Sequence, residues 1–111
     1  MSSEIEPERI ARTESVFREV NERIAEGAAR FDADEAEFVC ECADASCTTR
    51  VEATLAEYEG VRADGATFLL APGHQDPRVE AVVAVEPDHA IVQKTEPQVE
   101  ALVRATDPRA A

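Results

Sequence analysis

All three cysteines of the chain, Cys40, Cys42 and Cys47, lie in one stretch, FVCECADASC. Thiolates are soft donors that hold zinc and related cations, and neighbouring thiols also oxidise reversibly. In an extended strand, residues two apart face the same side, so Cys40 and Cys42 can reach one ion. The loop ADAS that follows is short enough to fold Cys47 back over it. A closed tetrahedral zinc site takes four donors, commonly four Cys or three Cys and one His. There is no fourth Cys, which leaves His74 and His89. His74 stands in APGHQDP, just after a Pro-Gly break that ends a predicted strand, where a loop can carry an imidazole to the end of a sheet. His89 stands in a hairpin turn, expected at the far end. The ligand set read here is Cys40, Cys42, Cys47 and His74, with Zn²⁺ as cofactor.

Other readings of the cluster compete. The same three cysteines could form a thiol-based redox or metal sensor. An iron–sulfur cluster ordinarily asks for four Cys. Three small residues could simply pack, although Glu41 and Asp44 make the segment polar for a plain core strand. No Cys-x-x-Cys knuckle occurs. A catalytic zinc needs an open coordination position and a base nearby. Glu41 falls on the opposite side of the strand and points away from the sulfurs. The phosphate-loop, His-Glu-x-x-His, Gly-x-Ser-x-Gly and zinc-deaminase patterns are all absent. Asp76, Arg78 and Glu80 near His74 keep a zinc-dependent hydrolase as the last-ranked reading. Their simpler reading is a solvated, turn-forming charge run. Tyr58 and Arg62, four apart, read as a ring with an Arg reaching past it to water. Lys94 reads as a solvated residue at a strand edge.

The scaffold follows from periodicity. Pro7 opens a helix and the pattern runs to Phe31, with Ile10, Phe17, Ile24 and Phe31 seven apart and Val20 and Ala28 beside them. The favoured reading lays this stripe on the chain's own core. The alternative is a seam between two chains. FVCEC is strand-like, and Val51 to Leu55 alternates as a half-buried strand does. A short helix over AEYEGVRAD precedes Asp64-Gly65. Strands are expected over 67–71, 79–85 and 90–94, the last two joined by Glu86-Pro87-Asp88-His89. A last helical turn or two follows Pro97. The expected class is α+β: a long N-terminal helix, a small antiparallel sheet of three to four strands and a short helix, stapled by zinc. The expected partition is a flexible tail over 1–6, an amphipathic helix over 7–31, a zinc-binding α+β domain over 32–96, and a short C-terminal helix and tail over 97–111.

With 111 residues, 44% apolar and only 5% aromatic, the core should be aliphatic and thin. A staple matters at that size. The 24 acidic against 11 basic residues give a net charge of −13, which repels nucleic acid and anionic membranes. MSSEIEPERIARTE lacks the basic and apolar regions of a signal peptide, and no apolar run approaches the length of a membrane span. A cytoplasmic location is expected, where clustered thiols read as metal-binding or redox-active.

The text FVCECADASC, LAEYEGVRADGATFLLAPGHQDP and AIVQK resembles a family of small uncharacterised actinobacterial proteins. Its most specific part is the pairing of C-E-C-x4-C with P-G-H, and the likeness covers roughly residues 14 to 94. The resemblance implies one site built from Cys40, Cys42, Cys47 and His74, and implies no activity. The functional expectation is a non-enzymatic zinc-binding module that contacts a protein partner through its acidic surface or its helix stripe. A homodimer through the N-terminal helix is the other partnership considered.

Overall fold

The protein, seen in a computed structural model, is described over residues 6–110. Most of the expected tail, residues 1–5, lies outside the described residues, as does Ala111. The order of elements is α1 (Pro7–Arg30), β1 (Glu35–Val39), β2 (Arg50–Thr54), α2 (Leu55–Arg62), β3 (Thr67–Leu70), β4 (Glu80–Val85), β5 (Ala90–Lys94) and α3 (Pro97–Ala105). This is the expected α+β class.

Local chemistry sets the helix starts. Pro7 and Pro97 each open a helix, where the missing N–H costs nothing. At α2 a capping box closes: Glu57 donates its amide to the Thr54 hydroxyl at 3.0 Å, and Thr54 donates its own to Glu57 Oε1 at 2.8 Å.

The five strands divide between two antiparallel sheets. β1 and β2 form a hairpin, and β5 runs between β3 and β4 in a three-stranded sheet. The register sets Phe38 opposite Val51 in the hairpin, and Phe68 opposite Val92 and Leu70 opposite Ala90 in the sheet. Phe38, Phe68, Leu69, Leu70, Val79, Val92, Val99 and Val103 are fully buried and form the core. Tyr58 stacks on Phe38 with ring centroids 4.6 Å apart.

α1 docks by a face that takes in Ile10 and the flank of Ile24 from its apolar stripe but is centred to one side of it. Its buried residues are Ile10, Ala11, Glu14, Arg18, Asn21, Glu22 and Ala25, a helical face that is largely polar. Phe31 is 81% exposed, Val16 56% and Val20 40%, while Phe17, Ile24 and Ala28 are half-buried. The physical reason is that each polar residue finds a directed partner on another element. Glu14 accepts from Lys94 Nζ of β5 at 2.6 Å. Arg18 donates to the carbonyls of Gly65, at 2.9 Å, and Val103, at 2.8 Å, and crosses the Phe68 ring 4.9 Å from its centroid. Asn21 both accepts from the amide of Val39 and donates to its carbonyl, each at 2.8 Å, as a neighbouring strand would. Glu22 binds Arg62 of α2 and Arg109 near the C-terminus. Hydrogen-bonded polar groups are tolerated in a core, whereas the same groups left unpaired there are costly.

Three single-residue expectations change for the same reason. Lys94 is 2% exposed. It belongs to the central strand, where α1 crosses, and its ammonium lies between Glu14 and Glu80. Glu80 is accordingly buried, unlike the exposed Arg78, which pairs with Asp76 at 2.7 Å. Arg62, at 3% exposed, does not reach water; Glu22 and Asp107 hold its guanidinium inside.

Candidate metal centre

The segment after β1 joins the two sheets. Cys40 donates its amide to the Thr49 carbonyl on the hairpin side, at 3.2 Å. Glu41 donates its amide to the Leu69 carbonyl on the β3 side, at 2.8 Å. The alternation of an extended chain turns Cys40 and Cys42 one way and Glu41 the other. The Glu41 carboxylate is fully buried, accepting from the Leu69 amide at 2.9 Å and from Asn21 Nδ2 at 2.8 Å. Burial lifts its pKa to about 6 against those hydrogen bonds. As expected, it points away from the sulfurs.

Two turns complete the cluster. Asp44 Oδ1 accepts from the Ser46 amide at 2.9 Å, and the Cys47 amide returns to the Asp44 carbonyl at 3.0 Å. This is the local folding that Asp favours, and it brings Cys47 back toward Cys42. The second turn is Ala71-Pro72-Gly73-His74, closed by the His74 amide on the Ala71 carbonyl at 3.1 Å. Gly73 has φ of +86°, the left-handed value that the third position of a type II turn needs, and Pro72 fills the second. Pro-Gly-His thus sets the imidazole at a fixed place beyond β3. The Ala71 amide donates to Cys40 Sγ at 3.2 Å, locking this turn to the cysteine strand.

The donor atoms of Cys40, Cys42, Cys47 and His74 all lie within 4.8 Å of one another. His74 Nδ1 is 3.5 Å from Cys40 Sγ and 3.7 Å from Cys47 Sγ. A tetrahedral ion with bonds of about 2.3 Å to sulfur and about 2.0 Å to nitrogen would have S···N edges of about 3.5 Å. The four side chains are therefore positioned to bind a metal ion. Cys40 and Cys42 are buried, Cys47 is half-buried and His74 is exposed.

Without a cation the two buried sulfurs are poorly placed to ionise. Burial pushes the Cys40 thiol well above its ordinary value, partly offset by the Ala71 amide, and raises Cys42 as well. At Cys47 burial pulls upward, but hydrogen bonds from Thr49 and the other thiols outweigh it and hold the group below its ordinary value. A cation among them reverses the balance for the buried pair, since coordinating thiols bind deprotonated.

His89 stays apart, though not for the reason its turn offered. Leu70 pairs with Ala90, so the β4–β5 turn lies at the same end of β3 as the Pro-Gly-His loop. His89 instead is buried beside a small cleft that also takes in Glu35, Glu52 and Glu57. Glu80 is no base for the cluster either: its carboxylate binds Lys94 and the Asp76 amide. Sequence reasoning missed Asn21 and Ala71, whose contacts orient the cysteine strand. The one signal for Asn21 was an amide side chain at core spacing on α1.

Gly73→Ala is expected to strain the turn by about 1–3 kcal/mol, because a Cβ disfavours that φ. Nothing within 4 Å would clash with the new methyl. Metal affinity should fall roughly tenfold through displacement of His74, read by competition with a chromophoric chelator.

Comparisons with family models, with curated proteins and with solved structures return no match. Among the described residues no helix is long and apolar enough to cross a membrane.

Proposed function

We propose that this chain is a small zinc-binding module whose Cys40, Cys42, Cys47 and His74 hold a structural Zn²⁺, and which works by contacting a protein partner in the cytoplasm rather than by catalysis. The observation that carries the reading is the donor set itself, three sulfurs and one ring nitrogen all within 4.8 Å of one another. Three thiolates and an imidazole suit zinc, and four protein donors fill its tetrahedron with no position left for water. The staple would join the end of β1 to the loop after β3, the two places where the sheets meet.

The test is metal analysis of the freshly purified full chain. One zinc per chain is expected, falling to a small fraction in Cys40→Ser and in His74→Ala. Cobalt in its place should give the intense visible bands of a tetrahedral thiolate site. Wild-type protein that takes up neither metal would end the proposal.

A second reading rests on one observation: Cys47 is the accessible sulfur of the three. Peroxide could oxidise it, and attack by a neighbouring thiolate would give a disulfide, two electrons passing to the peroxide oxygen to form water. Thiol titration separates the readings. A sensor loses two thiols and its metal at low peroxide and regains both on reduction; a structural site keeps all three.

A further inference from the structure

α1 leaves a face uncovered that has the marks of an interface. Directly opposite its buried side stand Val16 and Val20, with Phe31 following near the helix end, at 56%, 40% and 81% exposure. Val16 and Val20 also line a groove shared with Leu102 of α3. Single exposed apolar residues need no explanation, but Val16 and Val20, one turn apart and lining a groove, form a patch. Of the seven-residue repeat, Ile10 has entered the core and Ile24 packs against it; Val16 and Val20 lie to the outer side of that repeat and stay uncovered.

Charge identifies the occupant. The whole chain carries −13, which makes two copies repel over most of their surfaces. α1 is the exception: five Glu are matched by five Arg, and its exposed charges are Glu8, Glu19 and Glu26 against Arg9, Arg12, Arg23 and Arg30. Arg23 pairs with Glu19 and Arg9 with Glu6 within the chain. Glu8, Arg12, Glu26 and Arg30 form no ion pair among the described residues. In an antiparallel pairing of two α1 helices about Glu19, Arg12 falls opposite the second copy's Glu26, and Glu8 opposite its Arg30. One register therefore satisfies all four charges, twice over by symmetry. It also brings Val16 of each copy beside Val20 of the other, close to the axis at Glu19, whose carboxylate is held by Arg23 within its own chain.

We propose that the outer face of α1 joins two copies of this chain in an antiparallel, two-fold symmetric dimer, with Val16 and Val20 at its centre and Arg12–Glu26 and Glu8–Arg30 pairs on its flank. A C₂ contact requires this kind of self-complementarity. Two such faces bury on the order of 1,000 Å², the low end for specific association, so the dimer should dissociate in the micromolar range. The inference stands independently of the metal.

Sedimentation of the full chain across a dilution series is the test. A species of twice the 12.1 kDa chain mass should dominate at high concentration and give way to monomer on dilution. Val16→Glu/Val20→Glu should weaken association about 100-fold or more, with helical signal and metal content unchanged. Arg12→Glu should weaken it about tenfold by replacing attraction with repulsion, and Arg12→Glu/Glu26→Arg should restore it. A wild-type chain that stays monomeric throughout overturns the proposal. So does a dimer that ignores the Val16/Val20 change yet falls apart with Val83→Glu/Val85→Glu, which would place the contact on the exposed β4 edge. Failure of the charge reversal to restore association overturns the antiparallel register.

Discussion

Stripping the proposed zinc with a strong chelator is expected to cost on the order of 5 kcal/mol or more, a large share of what holds a domain this size together. The reason is where the four ligands lie. Cys40 and Cys42 end the hairpin, Cys47 closes the loop that starts its return strand, and His74 belongs to the other sheet. Without the ion, the buried sulfurs of Cys40 and Cys42 stay protonated, and few direct bonds tie the sheets at this end: the Ala71 amide to Cys40 and the two made by Glu41 with Leu69. Thermal melts followed by circular dichroism, before and after chelation and again after zinc is returned, would measure the loss and its recovery. A melt that chelation leaves unmoved would mean the cluster is a bystander to folding. Acidification should mimic chelation, because protons compete with the cation for all four donors.

The second large effect is expected at Lys94. Its ammonium is fully buried against Glu14 and Glu80 and lies 4.9 Å from the centroid of Phe68. Lys94→Ala strands two carboxylates in the core and should cost about 3–5 kcal/mol in denaturant titration. Replacing all three charges together, with Glu14→Gln, Glu80→Gln and Lys94→Met, should return much of that loss, since an apolar or neutral set carries no stranded charge. A Lys94→Ala variant within 1 kcal/mol of wild type would refute this account.

The same trio gives stability a pH dependence of definite sign. One cation between two carboxylates leaves a negative charge over, and the core resists it. Burial pushes Glu14 up to about 7 from 4.5, against the opposing pull of Lys94 and with help from Glu80 and Glu41. A carboxyl raised in the folded state holds its proton longer than the unfolded chain does. Its contribution is therefore complete below pH 4.5 and is lost as pH rises toward about 7. Glu41, raised to about 6, adds a smaller decline of the same sign. Glu22 and Asp107, held below their ordinary values against burial by Arg109 and Arg62, act oppositely and lose their contribution under acid. Glu14→Gln should flatten the fall above pH 4.5 and leave the acid limb in place.

Much of this arrangement was legible in the residues, for identifiable reasons. The donor cluster is written in local chemistry: Cys-x-Cys alternation sets two donors, and an Asp-led loop and a Pro-Gly turn set one each, all within a few residues. His74 is the histidine that lies beside the sulfurs, but the argument from sheet ends fails, because the pairing of β3 with β5 brings both loops to one end. The two short helices were marked by Thr54 with Glu57 and by Pro97. What stayed hidden was long-range. That α1 would bury Glu14, Arg18, Asn21 and Glu22 in preference to Val16 and Val20 depends on partners 18 to 87 positions away. Hydrophobic periodicity has no access to such partners. Lys94, Glu80 and Arg62 were misjudged for the same cause: a charged residue looks solvated until its counter-charge is known.

The strand from Phe38 to Cys42 serves two masters on alternate residues. Even-numbered side chains go to the aromatic stack and the sulfur cluster; Glu41, between the two cysteines, belongs to the interior and to Asn21 on α1. Adding or deleting a single residue here would exchange the two sets, presenting a carboxylate to the donor cluster and thiols to the helix. Length variation should therefore be lethal to folding between Val39 and Cys42, yet tolerable just beyond Cys47. A library of one-residue insertions scanned through this hairpin would show a sharply bounded forbidden zone, narrower than the hairpin itself.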